Sequence, residues 1–165
     1  MPLRAEVRLN LNSFKRLKRV VTKDGRPVYR LLREWIRIYR RWLYDRFVKF
    51  SRGGGNWPDL KPGTKAAKTR QGFGTEILIR TRVLEEQFSP VSRTQIISAR
   101  QGAVIRFGAG KTYPDGTPVE DVIRWHNDGA GNLPVRELLP DPDASVVRDM
   151  VKIAEQEMQD EIDGT

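Results

Sequence analysis

The chain has 165 residues and a net charge of +9, and its length favours a single domain over residues 1–165. It has no cysteine, which excludes disulfides and thiolate chemistry, and its one histidine cannot by itself form an ordinary zinc site. No apolar run reaches the roughly 18 residues of a membrane helix, and no apolar signal segment follows Met1. We therefore expect a protein with no membrane partner that is made in a reducing cytoplasm.

The charge is unevenly distributed along the chain. Residues 1–50 hold 15 Lys and Arg against 4 Asp and Glu, whereas residues 141–165 hold 2 against 8. A basic N-terminal part and an acidic C-terminal part favour either DNA or a charge-matched protein neighbour as partner. In a symmetric ring, the acidic end of one subunit is also suited to the basic helix of the next.

The first half of the chain contains a predicted strand and a predicted long helix. Ala5–Leu11 alternates between apolar and polar residues, which is typical of a half-buried strand. Pro27–Ser51 has apolar residues at spacings of three and four, which predicts a helix with one apolar stripe. A proline suits its first turn.

Two further elements are predicted between residues 53 and 88. Gly53–Thr75 is rich in Gly, Pro, Lys and Thr and predicts a long loop, of the kind that is functional or becomes ordered on binding. Glu76–Phe88 predicts a shorter helix.

The C-terminal part of the chain contains a predicted hairpin and a predicted helix. Thr94–Ala99 and Ala103–Phe107 are rich in β-branched residues and predict a hairpin. Asp143–Ile162 predicts a C-terminal helix, with Asp141 or Asp143 as its N-cap. The fold class predicted from these elements is α+β: a small antiparallel sheet packed with the long helix and the C-terminal helix.

The sequence contains no arrangement typical of catalysis or of cofactor binding. We interpret His126 as a structural or interface residue. Gly108–Thr112 resembles the end of a phosphate-binding loop, but Ile105 stands where that loop needs glycine. The adjacent acidic pairs Glu85-Glu86 and Glu120-Asp121 do not face each other on a helix. We therefore predict no enzyme activity, no catalytic or metal-binding residue and no cofactor.

Sequence-independent binding of DNA or RNA is the main alternative function. Its basis is a set of arginines on the long helix that could face phosphates: Arg30, Arg33, Arg37, Arg40 and Arg41. The aromatic residues of that helix share its apolar stripe and are better explained as core than as platforms for bases. A nuclease is a third reading, disfavoured because no His/Asp/Glu constellation accompanies the basic charge.

Three stretches of the chain resemble the tail-completion, or virion-morphogenesis, proteins of tailed bacteriophages. The first is Trp57–Lys68, with Trp, Leu, Thr and Lys at similar spacing. The second is Ile77–Leu84, although Arg82 stands where the family usually has glycine and Gln87 where it often has serine. The third is Val122–Gly129 followed by Leu133–Pro140, and its aromatic–His–polar–x–Gly and Pro–x–Arg–Glu–Leu–Leu blocks are the most specific.

The resemblance implies a structural virion protein that forms a ring, expected to be hexameric, at the head–tail junction. Its expected partners are other copies of itself, the connector or stopper, the tail tube and, without sequence specificity, the passing genomic DNA. Trp125 suits either the core or an interface. The residues of these stretches that we expect at assembly interfaces are Trp57, Leu60, Thr64, Lys68, Trp125, His126, Pro134, Arg136 and Glu137.

Overall fold

The computed structural model describes residues 6–10, 26–90, 95–99 and 102–163. Its helices are α1 (Arg26–Ser51), α2 (Pro62–Arg70), α3 (Val83–Phe88), α4 (Val119–Asp128) and α5 (Ala144–Asp163). Its strands are β1 (Glu6–Asn10), β2 (Gln95–Ala99) and β3 (Gly102–Arg106), which pair antiparallel in the order β1-β3-β2.

The predicted α+β architecture is wrong, because the chain is mostly helical. Helices α1 and α5 have 26 and 20 residues, whereas each strand has five. The apolar stripe of α1 is covered mainly by α5 and α3, and its contact with β3 is smaller. The two long helices therefore pack on each other, and the sheet is not the layer on which they lie.

Helix α1 is the predicted long helix and carries much of the core. The prediction of Pro27–Ser51 is confirmed to within one residue. Two of its aromatic side chains tie it to the rear of the chain: the indole of Trp35 donates to the carbonyl of Met150 (2.8 Å), and the hydroxyl of Tyr39 donates to that of Pro140 (2.9 Å). These bonds satisfy the polar atoms of buried aromatic residues, so α1 can be buried along most of one face.

The segment after α1 differs from its prediction as a loop. Within 53–75, residues Pro62–Arg70 form α2, which begins with a proline in its first turn and buries none of its residues. A helix without an apolar stripe gives no periodic signal, so periodicity alone could not predict it.

The helix predicted over Glu76–Phe88 is wrong in its first half. Residues 76–82 are irregular, and only Val83–Phe88 is helical. Leu78 and Arg82 adopt left-handed backbone conformations, with φ of 63° and 60°. Such conformations interrupt a right-handed helix, so the turn at Arg82 sets where α3 begins.

Helix α4 contains the first part of the third stretch that resembles the phage family, and helix α5 follows that stretch. Helix α4 was not predicted; it ends at Gly129, whose φ of 68° suits a left-handed C-cap. Helix α5 confirms the prediction of a C-terminal helix to within one residue at each end. Its N-cap is Asp143, whose Oδ1 accepts from the amides of Ser145 (2.9 Å) and Val146 (3.1 Å).

Strands β1 and β2 lie within the segments predicted as extended, whereas β3 begins at Gly102, one residue before its predicted arm. Strand β1 falls inside Ala5–Leu11, and its Val7 pairs with Ile105 of β3. Strands β2 and β3 fall on the predicted hairpin arms, and Ile96 also pairs with Ile105. Residues 5, 11, 94, 100 and 101 lie outside the described part of the chain.

Candidate functional site

Arg136 joins the first and third resembling stretches. Its side chain is buried, with a relative exposure of 4%, and its Nε and Nη2 donate to the carbonyl oxygen of Pro58 at 3.2 and 2.8 Å. Its amide donates to the carbonyl of His126 at 2.7 Å. Burial lowers the pKa of Arg136, and the carboxylate of Asp59 opposes that shift. Arg136 is thus a buried cation that holds two loops together, rather than an exposed interface group.

Asn127 holds the same segment from the end of α4. Its Oδ1 accepts from the amides of Leu138 (2.6 Å) and Leu139 (3.3 Å). This directs Leu138 into the core, where it is almost fully buried. Asn127 was not among the residues predicted at the site, although it lies between His126 and Gly129 in the third stretch.

Trp57 is also buried, with a relative exposure of 7%. Its ring packs edge-on against Phe47 and Phe50, with centroid distances of 5.7 and 5.4 Å. The guanidinium of Arg46 lies 4.4 Å from the centroid of the Phe50 ring and donates through Nη1 to the carbonyl of Glu137 (2.7 Å). Trp57 therefore anchors the first stretch to the end of α1.

Lys68 connects the first and second stretches. From α2, its Nζ donates to the carbonyl oxygens of Glu76 (2.5 Å) and Ile79 (2.6 Å). Burial lowers the pKa of this ammonium, and the charge of Glu76 opposes the shift. Lys68 thus holds the irregular segment that contains the left-handed Leu78.

The remaining predicted interface residues have varied environments. Leu60 packs partly buried against the core, and Thr64 is exposed on α2. Trp125 and Pro134 are half-buried, so Trp125 still suits either a core or an interface role. The side chain of Glu137 is exposed and forms an ion pair with Arg46 (3.6 Å).

His126 is half-buried beside Arg136. The pKa of His126 is lowered to about 4, mainly by burial and secondly by the charge of Arg136. Its Nδ1 is buried and has no hydrogen-bond partner among the residues that the structure describes. The ring is therefore neutral at pH 7 and does not act as a cation in this site.

The five arginines proposed to face phosphates do not form one continuous set. Arg30 forms an ion pair with Glu157 (2.7 Å), and Arg37 forms one with Glu34 (2.8 Å). Arg40 is buried and donates to the carbonyl of Ser89 (2.5 Å). Arg33 and Arg41 are exposed on the surface of α1.

Within 6–10, 26–90, 95–99 and 102–163, no group of three acidic or histidine side chains is placed to hold a metal ion. No helix in these ranges is both long enough and apolar enough to cross a membrane. Comparison of the chain with protein-family models, curated proteins and solved structures finds no match.

Proposed function

We propose that this chain is a non-catalytic structural protein of a tailed bacteriophage, which forms a ring at the head–tail junction and completes the tail. The main support for the proposal is that the three stretches that resemble the phage family contact each other. Arg136 of the third binds Pro58 of the first, and Lys68 of the first binds Ile79 of the second. These contacts support the proposal because the three stretches then form one packed unit of the subunit.

An assembly role also needs a rigid base under an exposed surface. The loop between α4 and α5 has this arrangement: Leu133 and Val135 are 41% and 57% exposed, although their neighbour Arg136 is buried. Apolar side chains that are exposed on an anchored loop suit contact with another protein. In this proposal, Trp57 and Arg136 support the subunit, and the exposed loop is presented to neighbours.

The proposed partners are further copies in a ring, with the hexamer as expected stoichiometry, the connector or stopper on one side and the tail tube on the other. The proposed location is the neck of the virion, after synthesis in the host cytoplasm. Genomic DNA would pass through the lumen without base-specific contact. Nucleic-acid binding as the main function has less support, because Arg30 and Arg37 are paired with carboxylates and Arg40 is buried.

The proposal is tested in a phage whose genome encodes this chain. A stop codon in the gene should leave filled heads and separate tails in the lysate, and wild-type protein supplied in trans should restore joined particles. Electron microscopy shows whether heads and tails are separate or joined, and plaque counts measure how many particles are infectious. A reconstruction of the wild-type particle should place the chain in a ring at the neck. Infectious particles without the chain, or copies scattered over the capsid, would contradict the proposal.

A further inference from the structure

A groove of about 790 Å³ runs between α1 and the segment that leads into α5. Its apolar surface includes the half-buried side chains of Ile38, Trp42 and Phe50 from α1. Pro140 and Val146 contribute from the opposite side. The groove is open and adjoins the candidate site at Arg46, Phe50 and Glu137.

The two walls of the groove carry opposite charges. The α1 wall has four cations and one carboxylate: Arg37, Arg41, Arg46, Lys49 and Asp45. The opposite wall has four carboxylates and no cation: Glu137, Asp141, Asp143 and Asp149. Only part of this charge is used within the chain, where Arg46 pairs with Glu137 and Asp143 caps α5.

Apart from the capping residue Asp143, five of these charged groups have no ion-pair partner in the described part of the chain, and four of them, all except Asp45, carry the charge that dominates their wall. Arg41 and Lys49 on the basic wall have no ion-pair partner in the described part of the chain. Asp141 and Asp149 on the acidic wall also have none there. All four residues are exposed.

We propose that the groove is a self-association surface that binds the same groove of a second copy of this chain. A two-fold axis that runs parallel to the groove places the basic wall of each copy opposite the acidic wall of the other, so one surface is complementary to itself. The apolar side chains between the walls are then shielded from water. DNA fits this groove poorly, because the acidic wall repels phosphates. The inference goes beyond the proposed ring, since it concerns the free subunit.

Charge reversal tests this pairing directly. The acidic-groove variant, Arg41→Glu with Lys49→Glu, makes both walls negative. The basic-groove variant, Asp141→Lys with Asp149→Lys, makes positions 41, 49, 141 and 149 all positive and brings the net charge of the acidic wall to zero. A matched control, Lys61→Glu with Arg70→Glu, makes the same change in net charge as the acidic-groove variant at two exposed positions outside the groove, the N-cap and the last residue of α2.

Sedimentation equilibrium at low salt measures the association, and circular dichroism checks that each variant is folded. We expect wild type and the control to pair, with a dissociation constant that rises at least about tenfold at high salt because screening weakens exposed charges. Each groove variant alone should pair at least about tenfold more weakly. An equal mixture of the two should pair again, because positions 41 and 49 of each copy then face opposite charges at positions 141 and 149 of the other.

Two results would overturn the inference. One is a wild-type chain that remains monomeric at about 1 mM and low salt. The other is a folded pair of groove variants that do not associate when mixed. Neither result bears on the ring at the neck, which is tested in particles.

Discussion

The guanidinium of Arg136 donates two hydrogen bonds to the carbonyl oxygen of Pro58, although the two residues are 78 positions apart in the sequence. The acceptor is a neutral backbone group, so this is not the ion pair that an Arg-Glu sequence suggests. Glu137 instead turns outward to Arg46. The Arg136 contact therefore fixes how the loop around Trp57 lies against the connection between α4 and α5.

Replacing Arg136 with alanine should lower the free energy of unfolding by about 2–3 kcal/mol. The reason is that the carbonyl of Pro58 loses its donors, and hydrogen bonds that involve a charged group contribute roughly 1.5–3 kcal/mol. Urea denaturation measures the change. Glu137→Ala is the matched control, because its side chain is exposed, and it should change stability by less than about 0.5 kcal/mol. An Arg136→Ala variant as stable as the control would contradict the buried role.

Replacing Lys68 with methionine should destabilise the chain by about 1–2 kcal/mol. Methionine keeps an apolar stem of similar length but removes the donor to the carbonyls of Glu76 and Ile79. The segment 72–80 should also become easier to cleave by protease, which mass spectrometry of the fragments can detect. Lys65→Met on the same helix is the control, since Lys65 pairs only with the exposed Asp59. Equal cleavage of the two variants would count against Lys68 as the group that holds this segment.

The spacing of apolar residues predicted the helices that bury a continuous apolar stripe, and it did not predict α2 and α4. Helices α1 and α5 each repeat apolar residues at spacings of three and four, and both were predicted to within one residue at each end. Helix α2 buries nothing, and α4 buries only Val119 and Ile123, so neither has a long apolar pattern. Sequence alone also could not show that α1 is covered by α5 rather than by a sheet, because an apolar stripe does not identify its partner.

The interface role of the residues named from the resemblance stays a prediction, and their contacts within the subunit could not be predicted. The resemblance singled out Trp57, Lys68 and Arg136; in the structure Lys68 and Arg136 each join two of the stretches, and Trp57 joins the first stretch to α1. The acceptors of Lys68 and Arg136 are backbone carbonyls, which every residue has, so no side-chain pattern indicates them. Asn127 was missed for the same reason, since it accepts from backbone amides.

Replacing Asn127 with alanine should lower the free energy of unfolding by about 1–2 kcal/mol. The amides of Leu138 and Leu139 then lose their acceptor in a partly buried position, and an unsatisfied buried group is costly. Asp128→Ala provides the control at the next, exposed position. Thermal or urea unfolding of both variants decides the matter. If Asp128→Ala costs as much as Asn127→Ala, the effect belongs to the end of α4 in general and not to these bonds.

Replacing Asp143 with alanine should lower the free energy of unfolding by about 1 kcal/mol through loss of the N-cap of α5. Asp143→Asn should retain most of that stability, because an asparagine oxygen also accepts from the first-turn amides. Asp141→Ala removes the other N-cap candidate and should have little effect. A larger loss for Asp141→Ala than for Asp143→Ala, measured by urea denaturation, would reverse the assignment.

Stability should fall as the pH drops from about 6.5 to about 4, and His126 should account for part of the fall. Its pKa in the folded chain is about 4, against 6.5 for an ordinary histidine, because burial and then Arg136 disfavour the cation. Between these values the unfolded chain binds a proton that the folded chain does not, so acid favours unfolding. Allowing for partial exposure of the ring, we expect a contribution of roughly 1–2 kcal/mol, present above pH 6.5 and lost by pH 4.

The measurement is the difference in unfolding free energy between wild type and His126→Gln across this pH range. Glutamine does not titrate, so the carboxylates, which also titrate near pH 4, largely cancel in the difference. The wild type should lose stability relative to the variant as the pH falls, and the difference should level off below pH 4. A constant difference from pH 7 to pH 4 would mean that His126 ionises equally in both states. The ring would then have to accept a proton beside Arg136 without cost, which its buried Nδ1 and the neighbouring guanidinium oppose.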